Sequence, residues 1–188
     1  MKNTKTLSTK KIVLAALMAA LTVVGSALRI TLPVAIMGTT AFHLGNIFCA
    51  LSGILLGPGL GGLAAGLGSM IYDMTNPAYI DECLITFLTK GAYGLVTGLI
   101  VWSGKQHESY AKLTLATLAG AVTYAVLYLA KNFFKGILIQ GLVPAASAIA
   151  LLDKLPATIF NAVVAILFAP MLATAIRTAL KKNHLTLD

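Results

Sequence analysis

The stretch FHLGNIFCALSGILLGPGLGGLAAGLGSMIYDMTNPAYIDECLITFLTK, residues 42–90, decides the fold. Two apolar runs lie back to back, joined at Gly57-Pro58-Gly59, and ionisable residues stand only where these runs and the next one begin or end. Glycine supplies positive φ and proline fixes its own, so this junction reads as a tight turn between two helices. Charges kept to helix ends are the pattern of a bilayer, where an ionised side chain costs several kcal/mol. Gly57-x-Gly59-x-x-Gly62 matches a dinucleotide fingerprint in form only, because that motif needs a preceding strand and a βαβ unit. No Gly-Lys-Ser/Thr ending makes a P-loop, so this chain is not expected to hydrolyse ATP.

Composition agrees. The chain has 188 residues, 58% hydrophobic and 11% charged, against about 25% charged in ordinary soluble domains. Its mean hydropathy is +0.88. A soluble protein of this size could not hide so much apolar surface. We therefore expect an all-α integral membrane protein, one membrane domain over residues 1–188.

A span needs about 20 apolar residues, which predicts six: 12–32, 42–56, 60–74, 84–102, 113–130 and 155–179. Residues 131–154 read as an extracellular loop that folds back into the membrane face. The basic residues Lys2, Lys5, Lys10 and Lys11, then Lys105 and Lys112, then Arg177, Lys181 and Lys182, fall in three regions that an even number of spans puts on one side. The positive-inside rule makes that side the cytoplasm, with both termini there. The net charge of +8 then needs no nucleic acid, and no basic stripe or aromatic interleaving calls for one. The basic N-terminus precedes a span of full length, so no cleaved signal peptide is expected. Cys49 and Cys83 read as packing residues.

With that topology the polar membrane residues share one depth, the outer half. His43 and Asn46 open the second span, and Tyr72 and Asp73 close the third. Lys90 and Tyr93 sit in the fourth, Tyr124, Tyr128, Lys131 and Asn132 in the fifth, and Asn161 in the sixth. Intramembrane ionisable and amide groups are functional candidates because each must find a partner, a ligand or water. His43, Asn46, Asp73, Lys90, Tyr93, Tyr128, Asn132 and Asn161 are the candidate ligand-binding set. Asp73 can equally be a plain helix-end carboxylate, and a structural ion pair with Asp73 is the alternative to a binding role for Lys90. Tyr124 and Tyr128 also suit an interfacial belt, and Arg29 a snorkelling cap. An amide, a lysine, a histidine and tyrosines on apolar walls suit a small polar molecule with an aromatic ring. No nucleophile–base pair, paired intramembrane carboxylates or metal spacing marks an enzyme.

Small residues recur at four-residue spacing: Gly62 with Gly66, Gly94 with Gly98, Ala15 with Ala19 and Ala16 with Ala20. Such pairs let helices approach closely in lipid. The glycines suit packing within this bundle; the alanines, flanked by lysines, suit docking onto a partner.

These residues together resemble the substrate-binding S component of energy-coupling factor (ECF) transporters. The likeness covers nearly the whole chain. It is carried by Ala15-Ala16-Leu17-Met18-Ala19-Ala20, His43-Leu44-Gly45-Asn46, Gly57-Pro58-x-x-Gly61, Gly68-x-x-x-Tyr72-Asp73 and Thr89-Lys90-Gly91-x-x-Gly94-x-x-x-Gly98. The resemblance implies a high-affinity vitamin site near the outer surface, covered by the first extracellular loop, in the plasma membrane of a prokaryote. It further implies docking to a transmembrane T component that carries two ATPase subunits, and toppling in the membrane to deliver substrate. The chain itself would hold no cofactor; ATP and Mg would sit in the partner ATPases. The surroundings of His43 and Lys90 are closest to the branch of riboflavin, hydroxymethylpyrimidine and pyridoxine. The pyrimidine or pyridine type leads, because the single tryptophan, Trp102, falls on the cytoplasmic side and cannot sandwich a flavin. Pantothenate, whose carboxylate would pair with Lys90 or Arg29, is an alternative. A carrier working alone and a membrane assembly subunit that binds no small molecule are the competing functions.

Overall fold

The structure, a computed structural model, describes residues 8–34, 38–104 and 109–183. Lys2, Lys5 and Lys105 lie outside them. Helix α1 (Thr9–Ala27) leads into strand β1 (Arg29–Val34), which pairs antiparallel with β2 (Gly38–His43). Then come α2 (Gly45–Met74), α3 (Cys83–Trp102), α4 (Tyr110–Leu138), the short α5 (Pro144–Ala150) and α6 (Leu155–Lys182). Five helical segments are long and apolar enough to cross a membrane, α5 and α6 counting as one. Large apolar side chains such as Leu84, Leu88, Leu115 and Val126 are exposed around the outside, as a lipid-facing surface requires.

The longest of these helices reverses. Gly57 has φ 80° and ψ −179° inside α2, a conformation open to glycine alone. In a straight helix Cys49 and Ser69 would stand about 30 Å apart, yet their Sγ and Oγ atoms are 3.7 Å apart. Residues 45–56 and 58–74 are therefore antiparallel legs, the first about 18 Å long, well short of a bilayer core of roughly 30 Å. Pro58 has no N–H to give the carbonyl of Ile54 four residues back. That carbonyl instead accepts from the indole of Trp102 at 3.2 Å and the guanidinium of Arg177 at 2.8 Å. The bend thus ties α3 and α6 to the turn end of α2.

Both legs lie against α3 at backbone distance. A Cβ on Gly53 would fall 2.2 Å from the carbonyl oxygen of Gly94, and one on Gly98 2.6 Å from the nitrogen of Pro58. The expected glycine pairs are thus consumed inside the bundle. An alanine stripe the sequence reading passed over does the same for α6, where Ala165, Ala169 and Ala173 are fully buried. The alanine pairs of α1 divide. Ala15 and Ala19 pack on this chain's own core, whereas Ala16 and Ala20 are exposed. The buried hydroxyls of Thr22 and Thr117 bond within their own helices, to the carbonyls of Met18 and Leu113 at 2.9 Å each, which keeps them satisfied in lipid.

Three expected boundaries need correction. The first span does not run to residue 32. The helix stops at Ala27, and Ile30, Thr31, Val34, Thr39 and Thr40, β-branched residues on a pleated pair, form a hairpin within the otherwise helical chain. Phe42 and His43 belong to that hairpin and not to the second span. The fifth span does not stop at 130: α4 continues to Leu138, so the first third of the expected 131–154 loop is helix, and α5 supplies another turn or two.

Gly53→Ala should cost at least about 1–3 kcal/mol, as overpacking against an immovable carbonyl does. Gly59→Ala, with nothing within 4 Å of its Cβ, should be neutral or stabilising by up to about 1 kcal/mol. Thermal melts of the two variants in detergent check the contrast.

Candidate functional site

A cavity of about 370 Å³ opens at the hairpin end, between β2 and the ends of α2, α3, α4 and α6. Of the eight candidates read from the sequence, six line it: His43, Asp73, Lys90, Tyr128, Asn132 and Asn161. Asn46 and Tyr93 do not; they stand behind the wall. The reversal of α2 explains the convergence, because it returns Asp73 at the end of the second leg to the level of Asn46 at the start of the first.

Lys90 is 5% exposed. Its Nζ donates to Oδ1 of Asn46 and lies 4.0 Å from the centroid of the Tyr124 ring. No Lys90–Asp73 pair within ion-pair distance occurs among the described residues; the amide and the ring hold the ammonium instead. Asn46 keeps a buried Nδ2 without a partner among the described residues. Tyr124 lies between Tyr93 and Tyr128, with ring centroids 6.0 Å and 5.7 Å away and planes 18° and 27° apart. Three near-parallel rings thus run along one wall, and Tyr124 and Tyr128 present theirs to the cavity. Their i, i+4 spacing on α4 puts them on one face.

The hairpin is fastened by Asn161. The backbone N–H of His43 donates to its Oδ1, and its Nδ2 donates to the carbonyl of Ala41, each at 2.9 Å. The side-chain amide pairs with the strand edge as another strand would, and Phe42 meets Phe160 edge-on at 4.7 Å. Asn161 therefore lines the cavity while its amide holds the hairpin. The N–H of Gly45 donates to Nδ1 of His43 at 3.1 Å, which leaves the imidazole hydrogen on Nε2. Burial, with Lys90 and Arg29 nearby, holds the His43 pKa well below the ordinary histidine value, so this side chain is neutral at pH 7.

Several lining residues escaped the sequence reading. Arg29 does not snorkel; its guanidinium sits between Tyr72 and Tyr79, 4.2 Å and 4.8 Å from their centroids, and its Nε donates to the carbonyl of Ser26 at 2.8 Å. Lys131 and Lys135 both bind the carboxylate of Glu82, closing the side between α3 and α4. Lys154, from the turn before α6, also lines the cavity. Residues 124, 128, 131 or 132, and 135 keep helical spacing on α4, and ending the helix at 130 left Lys135 out of that series.

Long apolar helices enclosing a polar cavity define a multi-pass membrane protein with room for a small molecule. The chain matches the family described as ECF-type riboflavin transporter, S component, over residues 6–178, and it belongs to that family. An uncharacterised protein from Pyrococcus woesei, described by its place in the gap 3′ region, is 33% identical over 109 residues, 58% of this chain and 68% of that one. The protein is thus the substrate-binding type of subunit of an ECF transporter.

Asn161→Ala should release the hairpin from α6. Hydrogen exchange at the His43 amide should speed up roughly five- to tenfold, since a part-buried bond of about 1–1.5 kcal/mol is lost. The amides of α3 should exchange unchanged.

Proposed function

We propose that the cavity is the capture site for a vitamin or vitamin precursor with a flat heteroaromatic ring. The observation that carries this is the pairing of the tyrosine wall with Lys90, which Asn46 aims across it. A ring lying on Tyr124 and Tyr128 would place a ring nitrogen or hydroxyl within reach of Lys90 and of Nε2–H of His43. Aromatic walls with a few placed polar groups are the usual design of such sites.

The leading substrate is a pyrimidine or pyridine of the hydroxymethylpyrimidine or pyridoxine kind. Riboflavin is the second reading, favoured by the description of the matching family. Trp102 sits at the turn end on Ile54 and plays no part in either; the stacking surface is tyrosine.

In this reading the two legs of α2 count as two spans. They make six with α1, α3, α4 and α6, as a single membrane domain of a prokaryotic plasma membrane. The turn end, with Lys10, Lys112, Arg177 and Lys181 around it, faces the cytoplasm, and the hairpin covers the site from outside. Ala16 and Ala20, exposed on α1, dock the T component, which carries the two ATPase subunits with their ATP and Mg. A lone carrier would need its coupling ion at a carboxylate of the cavity wall such as Asp73.

The protein purified from cells in rich medium should release one small molecule per chain on denaturation, identifiable by mass spectrometry. Lys90→Met should then weaken binding of that molecule at least roughly tenfold, the loss of one charge-assisted hydrogen bond. An empty protein that also ignores a vitamin panel would refute the capture site.

A further inference from the structure

Two carboxylates, Asp73 and Glu82, line the cavity, and they are held differently. Glu82 takes the ammonium groups of both Lys131 and Lys135. Asp73 is 6% exposed, yet among the described residues no cation stands within ion-pair distance of it. Lys90, Arg29 and Lys131 act on it from farther off. Lys90 is held by Asn46 and the Tyr124 ring, and Arg29 by Tyr72, Tyr79 and the carbonyl of Ser26.

These neighbours answer the charge of Asp73 but leave its hydrogen-bonding capacity open. A carboxylate has about four acceptor positions, and the side chain that donates to Asp73 is Thr86 of α3. Lys90 follows Thr86 by four residues, on the same face of α3 and about 6 Å farther along its axis. Its ammonium has three N–H groups, of which Asn46 takes one. Asp73 and Lys90 therefore flank one stretch of wall, an acceptor and a donor that do not pair with each other. Both also act on Tyr124, so the stretch borders the tyrosine surface. A buried donor or acceptor left without a partner costs free energy, and a ring seated on the tyrosines is placed to supply both partners.

We infer that Asp73 and Lys90 form a split acceptor–donor pair bridged by one edge of the captured ring. Asp73 is then a specificity-determining residue, and the substrate is a neutral heteroaromatic with an N–H or O–H donor beside an acceptor. This deepens the proposed capture site and rests on it. A 4-aminopyrimidine gives its amino N–H to Asp73 and offers the neighbouring ring nitrogen to Lys90. Pyridoxine gives its hydroxymethyl O–H and offers the oxygen of the neighbouring ring hydroxyl. A flavin gives its ring N–H and offers the carbonyl beside it. In each case the carboxylate is used by the substrate and not by a coupling ion.

The test is calorimetric titration of the purified, ligand-free protein, with and without sodium, using matched pairs in which only the donor is removed. They are hydroxymethylpyrimidine and its deamino analogue, pyridoxine and 4′-deoxypyridoxine, and riboflavin and N3-methylriboflavin. In whichever pair binds, the parent should bind roughly tenfold tighter or more than its analogue, with or without sodium. Asp73→Asn, an acceptor without the charge, should narrow that gap, and Asp73→Ala should close it. The wild-type gap decides the matter even where a variant fails to fold. An analogue that binds as tightly as its parent, or a gap that survives Asp73→Ala, overturns the role of Asp73 and leaves the capture site standing. Binding of parent and analogue alike that appears only with sodium gives Asp73 to a coupling ion and overturns that role as well. Failure of every compound to bind sinks both the pair and the capture site.

Discussion

A lysine that is 5% exposed in the middle of an apolar bundle has to be held, and the hold on Lys90 organises one end of this protein. Its ammonium rests on the Asn46 carbonyl and the Tyr124 ring. Asn46 can reach it only because it stands in the first turn of α2, directly after the hairpin. Tyr124 is in place because Gly120, one turn earlier, lets α4 close on Tyr93 and Thr97; a Cβ there would fall 2.2 Å from Thr97 Oγ1. The hold thus depends on backbone approaches that larger residues would forbid.

The two ends of the molecule solve opposite problems. At the turn end the reversal at Gly57 and Pro58 frees one carbonyl, and Trp102 and Arg177 answer it. That end is closed. At the hairpin end polar side chains from β1, β2, α2, α3, α4 and α6 converge and enclose a cavity instead. Glycine and alanine contacts along α2, α3 and α6 lie between the two. The result is a bundle with a polar cavity at one end, covered by a hairpin whose hold on α6 runs through the amide of Asn161 and the Phe42–Phe160 contact.

Most of this was legible as pattern and little of it as contact. Apolar runs and the Gly57-Pro58-Gly59 punctuation located the helices, and the confinement of polar residues to one depth located the cavity level. The β-hairpin was missed because Arg29 to Leu32 continues the apolar run of α1, and hydropathy does not separate strand from helix over six residues. The β-branched content there was the available signal. Lys135 was lost with the last two turns of α4, and Lys131 was read at the same depth but left out of the ligand-binding set. The pairing of Arg29 with Tyr72 and Tyr79, and of Asn161 with the hairpin, joins residues far apart in sequence, which no local pattern encodes. Asn46 and Tyr93 show the converse: correctly placed in depth, they stand one layer behind the cavity, a distinction only packing makes.

The most direct test is an experimental structure of the protein with its co-purified small molecule. The account predicts ring density lying on Tyr124 and Tyr128 within contact of Lys90, beneath the closed β1–β2 hairpin. Density outside this cavity, or a ligand seated against the exposed face of α1 or α6, would contradict it.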